Sequence, residues 1–188
     1  MKSIPICLLA CLLIASCVAS RERKSGKYYI QHEAEIQQML TLYRQLYRHQ
    51  PFNIGFSNRD FRYVGVDIIT DTVRYAISNE ESMELFREAI NGFRYDTSAL
   101  FTLYRNMYTI KCIWMGTADL FYDGQEEIAT FLSFRSVLFG NPFLDRKYYN
   151  LVIFDSAFIT PRTDSMIRQQ GFTRVKDEVY FKIMGRFR

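Results

Sequence analysis

Histidine is almost missing from this sequence: His32 and His49 are the only two in 188 residues. Imidazole is the commonest general base, so its scarcity removes most catalytic arrangements from consideration. The two stand 17 residues apart on what reads as one helix, and cannot share a site in one subunit unless that helix bends. Both read as surface or helix-end residues, with His49 favoured near a helix C-terminus when charged. Cysteine is scarce too, at four, with no C-x-x-C. With H-E-x-x-H also missing, the ligand spacing of a zinc site is not there. The nine glycines are scattered, so no Gly-rich loop cradles a phosphate, and G-x-S-x-G does not occur. The net charge of +4 is small and spread along the chain. A nucleic-acid partner needs a clustered basic face, so none is expected, and no cofactor site is expected either.

Long apolar runs are equally few. The longest, Ile4 to Ala15, follows Lys2 and is almost wholly apolar. It is shorter than the roughly 20 residues a membrane-spanning helix needs, and matches the apolar core of a secretory signal behind a positive start. It ends in Ile14-Ala15-Ser16-Cys17: a branched apolar residue, two small residues, then cysteine.

These four positions resemble the lipobox of bacterial lipoproteins. The resemblance implies that the Cys17 thiol carries a diacylglycerol, that the signal is cut just before Cys17, and that the new amino group is acylated. Val18 rather than Asp after the cysteine implies, by the sorting rule of that family in Gram-negative bacteria, the outer membrane rather than the inner. Ordinary cleavage after Ala19, with Cys17-Val18-Ala19 as the small-residue site, is the alternative. Leu8-Leu9-Ala10-Cys11 is a poorer lipobox, because Leu9 is bulky and the apolar run before it is short.

The expected organisation is a signal peptide over residues 1–16, a lipidated basic tether over 17–30 and one α+β domain over 31–188. Four of the seven residues Arg21 to Lys27 are basic, which suits either a solvated spacer or contact with anionic head groups. With Cys17 acylated, Cys112 has no partner, so no internal disulfide framework is expected. It lies in the apolar run 110–115 and reads as a buried, inert thiol.

The rest has an ordinary globular mix, 48% apolar and 23% charged, with 16 Phe and 13 Tyr, so a full core is expected without staples. Ile36, Met39, Leu40, Tyr43, Leu46 and Tyr47 recur at helical spacing and predict a helix over 31–50, which Pro51 stops. Residues 61–77 read as strand, with Asp71 at a bend. Ser78 and Glu81 have capping-box spacing ahead of a helix with Met83, Phe86, Ala89, Ile90 and Phe93 inward. A second helix is expected over 97–108. Strands over 110–122 and 126–138 flank Asp123-Gly124, a strong hairpin signal. A strand over 148–154, a helix over 164–170 ending at Gly171 and a strand over 179–184 complete the chain. Strands and helices in runs predict α+β with an antiparallel sheet. Helices between a second and a third strand also occur in PAS-like and profilin-like sensor folds, a fold-level analogy only.

Asp119, Asp123, Glu126 and Glu127 form the densest carboxylate group. The EF-hand pattern fails there, because 120–122 are Leu, Phe and Tyr, and hairpin solubility is the better reading. Asp119 and Asp155, at strand ends, are the first suspects for a carboxylate-only enzyme. Tyr28-Tyr29 and Tyr148-Tyr149 are adjacent pairs, and alternation in a strand leaves one of Tyr148 and Tyr149 available to a partner surface. The functional expectation is a non-catalytic binding or assembly module of the bacterial envelope, held to a membrane through Cys17 and meeting an envelope protein. A small hydrolase or a ligand sensor are the alternatives.

Overall fold

The computed structural model describes residues 26–57, 60–122, 124–135 and 148–184. Helix α1 (Glu33–His49) follows a helical segment over 26–31. Its stripe of Ile36, Met39, Leu40, Tyr43 and Leu46 is buried, as the helical spacing predicts. Strands β1 (Phe52–Phe56), β2 (Val64–Ile69) and β3 (Arg74–Ser78) come next. Helices α2 (Met83–Gly92) and α3 (Thr97–Thr109) separate them from β4 (Cys112–Tyr122), β5 (Gln125–Arg135) and β6 (Tyr148–Ile153). A 3-10 turn (Ser156–Phe158), helix α4 (Pro161–Gln169), β7 (Thr173–Lys176) and β8 (Val179–Met184) follow. All neighbouring strands are antiparallel, in the order β3-β2-β1-β4-β5-β6-β8-β7. The fold is therefore the α+β class expected, an open antiparallel sheet with helices between strands.

Several local expectations need correction. The stretch 61–77 is two strands rather than one, because Thr70 and Val73 close a turn (Thr70 N–H to Val73 O, 3.0 Å; Val73 N–H to Thr70 Oγ1, 3.0 Å) and Asp71 sits within it. With β1 also present, the helices fall between the third and fourth strands, not the second and third. The N-cap of α2 is Ser82, whose hydroxyl accepts from Glu84 N–H at 3.0 Å. Ser78 cannot serve, because it pairs with Gly65 inside β3. Helix α4 starts three residues earlier than expected, at Pro161, where a fixed φ suits the first helical position and Thr160 and Thr163 close a capping box. Ile110 caps α3 and Lys111 takes φ +54°, so β4 begins at Cys112 rather than 110.

The helix-side core joins α1, α2 and α3 to the sheet through Phe52, Ile54, Val64, Val66, Ile68, Met115, Leu132 and Leu151. Packing begins before α1: Tyr29 is 2% exposed, and the Tyr28 hydroxyl donates to Ile110 O. The other face carries a smaller core of Tyr122, Ala129, Phe131, Val152, Phe154 and Tyr180 beneath Ile167 and Phe172. The Trp114 indole also lies over this second face. A Cβ at Gly55 would sit 2.7 Å from its Cδ1, and one at Gly116 2.3 Å from its Cη2. Strands β1 and β4 can meet under the ring only because both positions are glycine.

In β4 and β5, Tyr122 pairs with Gln125, which leaves a two-residue connection, and Gly124 has φ +75°. Asp123 lies outside the described residues. Gly124→Val is expected to destabilise the protein by about 1 kcal/mol or more, read as a lower midpoint in denaturant.

Candidate binding surfaces

The residues singled out for chemistry do not converge. Cys112 is fully buried, donates from Sγ to Trp114 O at 3.2 Å, and has its pKa pushed up to about 12 by that burial. A thiol so hard to ionise is a poor nucleophile. His32 precedes α1 with its ring 4.6 Å from Tyr28, whereas His49 is exposed in the last turn of α1, 6.2 Å from Tyr95. Asp155 caps the 3-10 turn, accepting from Ala157 N–H at 2.8 Å, and its own N–H donates to Glu127 at 2.9 Å. Asp119 is exposed in the middle of β4. Among the described residues no three His, Cys, Asp or Glu side chains gather as metal ligands. Tyr148 and Tyr149 are both half-buried, with Tyr149 stacked on Phe181 at 6.0 Å. Between the sheet and α2–α3 there is an apolar gap of about 10 Å³, lined by Ile54, Val64, Phe86, Leu100, Phe101 and Tyr104, no larger than one water.

One buried-edge cluster is electrostatic. Asp164 on α4 accepts from the Tyr180 hydroxyl at 2.5 Å and pairs with Arg168 at 3.0 Å and Arg174 at 3.6 Å. The Tyr180 hydrogen bond and then the two guanidinium groups hold its pKa below the usual value. An acid whose folded pKa is lowered adds stability above its unfolded value of about 3.9, and that stability is lost as pH falls through the folded value. Asp164→Asn is therefore expected to lower stability at neutral pH and to flatten the acid limb of a stability–pH curve below about pH 4. Thermal melts at stepped pH measure it.

The hairpin of β4 and β5 has a different character. Strand β1 pairs with β4 only at Trp114 and Met115, and β6 reaches β5 only from Thr130 onward. Beyond these pairs the hairpin continues as a two-stranded arm among the described residues. On one side of the arm Ala118, Leu120 and Tyr122 belong to the second core. The other side presents two cross-strand pairs, Asp119 with Ile128 and Phe121 with Glu126. Phe121 is 66% exposed and Ile128 56%. At the base of the arm, the Thr117 hydroxyl donates to the Tyr47 hydroxyl of α1 at 3.0 Å. The four carboxylates read from the sequence are thus split: Asp119 and Glu126 share the open face, Glu127 lies on the other, and Asp123 is outside the described residues.

No family model, no curated protein and no solved structure matches this chain. From Cys112 to Phe134 the sequence has no Lys, Arg or His and four carboxylates, in a chain whose net charge is +4. Two large apolar side chains stand in water within that acidic field. Sequence reasoning found the acids and missed the apolar pair. Register counted back from a two-residue turn puts Phe121 and Ile128 beside Asp119 and Glu126, and that count was the available signal. Among the described residues no helix is long and apolar enough to cross a membrane. Cys17 lies outside them.

Proposed function

We propose that the protein is a non-catalytic binding module of the bacterial cell envelope, anchored by lipid at Cys17, that holds a protein partner on the open face of the β4–β5 arm. The observation that carries the reading is the exposure of Phe121 and Ile128 between Asp119 and Glu126. Large apolar side chains that the fold leaves in water gain free energy when a partner covers them, about 1.5–3 kcal/mol for a side chain taken from fully exposed to fully buried. The surrounding acids select a partner surface with apolar residues set among Lys and Arg, and speed the encounter at low salt. The lipobox resemblance supports the anchor, and the basic stretch 21–27 supports placement close to anionic head groups.

Phe121→Ser with Ile128→Ser is expected to weaken capture of the envelope partner by at least about 30-fold, the equivalent of about 2 kcal/mol. Both side chains are largely exposed, so the melting temperature should stay unchanged. Intact-mass analysis of the membrane-extracted protein should also find acyl chains on Cys17. A double variant that captures its partner as well as the parent removes the arm from the reading, and a mature chain starting at Ser20 removes the anchor.

A further inference from the structure

We infer that β3 is a self-complementary edge on which a second copy of this chain docks, joining two sheets into one. The inference stands independently of the arm. Strand β3 ends the sheet, and no described strand pairs with its outer side. In an antiparallel ladder, hydrogen-bonded and non-bonded pairs alternate. Thr70 N–H donates to Val73 O at 3.0 Å and Asn79 N–H to Val64 O at 3.1 Å, which fixes the phase. Tyr75 and Ile77 bond to β2, so the N–H and C=O groups of Arg74, Ala76 and Ser78 point outward.

Natural edges are guarded by charge, bulges or shortness. The opposite edge, β7, has four residues, a register irregularity between Arg174 and Lys176, and both of those charges. Strand β3 keeps an unbroken register with β2 and has Arg74 as its one charged residue. Val73 and Tyr75 stand 47% and 45% exposed beside it, and the Tyr75 ring lies 5.2 Å from Phe93, the residue that caps the C-terminus of α2.

The edge matches itself. An antiparallel pairing about a two-fold axis at Ala76 sets Ala76 against Ala76 of the second copy and Arg74 against Ser78 of the second copy, all through outward-pointing backbone groups. Tyr75 then faces Ile77 of the second copy, an aromatic–β-branched pair of the kind that stabilises sheets. Glu80, exposed in the bend just past the end of β3, brings an acid to the end of the strand that meets Arg74 of the other copy, and symmetry supplies that opposite-charge approach twice. Within β3 no like charges are set opposite one another, and the contact is isologous and closed.

Light scattering of the full purified chain should give twice the protomer mass. Hydrogen-bonded antiparallel pairs hold Cα atoms about 5.5 Å apart, within disulfide reach. Ala76→Cys should therefore form a covalent dimer on mild oxidation, well above the background of the parent chain and of Arg87→Cys on α2. Ala76→Pro removes an outward N–H while sparing the bonds to β2, and should give a monomer with unchanged circular dichroism. If that variant unfolds, Arg74→Glu should give a monomer and Arg74→Glu with Glu80→Arg should restore the dimer. A parent chain that stays monomeric at every concentration, or a dimer that persists in both folded Ala76→Pro and Arg74→Glu, overturns the inference.

Discussion

Phe154→Ala is expected to cost about 3–5 kcal/mol of folding stability, which lowers the melting temperature of a domain this size by roughly 2–4 °C for each kcal/mol. Phe154 is fully buried. Its ring meets Tyr180 at 5.3 Å, Phe158 at 5.9 Å, Tyr122 at 6.1 Å and Phe172 at 6.4 Å. These partners come from β8, the 3-10 turn, β4 and the residue before β7, so a single truncation opens a cavity where four parts of the chain converge. Tyr122, whose buried hydroxyl has no partner among the described residues, depends on these ring contacts to stay in place. Because Tyr122 is the last residue of β4, the loss should reach the base of the arm. The denaturant midpoint of Phe154→Ala checks the size, and a change below about 1 kcal/mol would mean that the second core is not packed as described.

Gly116→Ala should cost about 3 kcal/mol, although it adds one methyl group. That methyl would stand 2.3 Å from both Asn53 Oδ1 and Trp114 Cη2, and 2.5 Å from Trp114 Cζ2. Asn53 Oδ1 accepts from Thr117 N–H at 3.3 Å, at the point where β4 passes beyond the last residue paired with β1. Pushing the amide aside leaves that N–H without its acceptor, and pushing the indole aside uncovers Gly55. Gly92→Ala is the internal control: its Cβ meets nothing within 4 Å, and alanine is the better helix former by about 0.5–1 kcal/mol. Unfolding curves of the two variants should move in opposite directions.

Much of this fold was legible in the sequence where a signal was local. The stripe of α1 and its stop at Pro51, the positive φ of Gly124 between β4 and β5 and the strand over 179–184 needed only periodicity, a fixed φ or a residue that tolerates positive φ. Gly171, with φ +84° after α4, belongs with them. Strand β1 was not legible, because Gly55 breaks the β-propensity of its five residues. It exists because Gly55 lets Trp114 close over it, a contact between residues 59 apart in sequence. The division of 61–77 into two strands depended on a turn at Thr70 and Val73 that has no glycine or proline to announce it. Ser78 and Ser82 compete for the cap of α2, and the pairing of Ser78 with Gly65 decides between them. As for the arm, its acids were plain in the sequence. Its exposure is a property of how far β1 and β6 extend, which no local pattern encodes.

The claim that the arm is a partner-binding face is tested most directly by placing a photo-reactive amino acid at position 121, on the arm, or at position 165, on the exposed side of α4, and irradiating native envelopes. A cross-linked adduct is expected from position 121 and not from 165, with the attachment mapped to a partner segment that has apolar residues among Lys and Arg, and a yield that falls as salt is raised. Equal adducts from both positions, or none from position 121 in folded, membrane-bound protein, would contradict it.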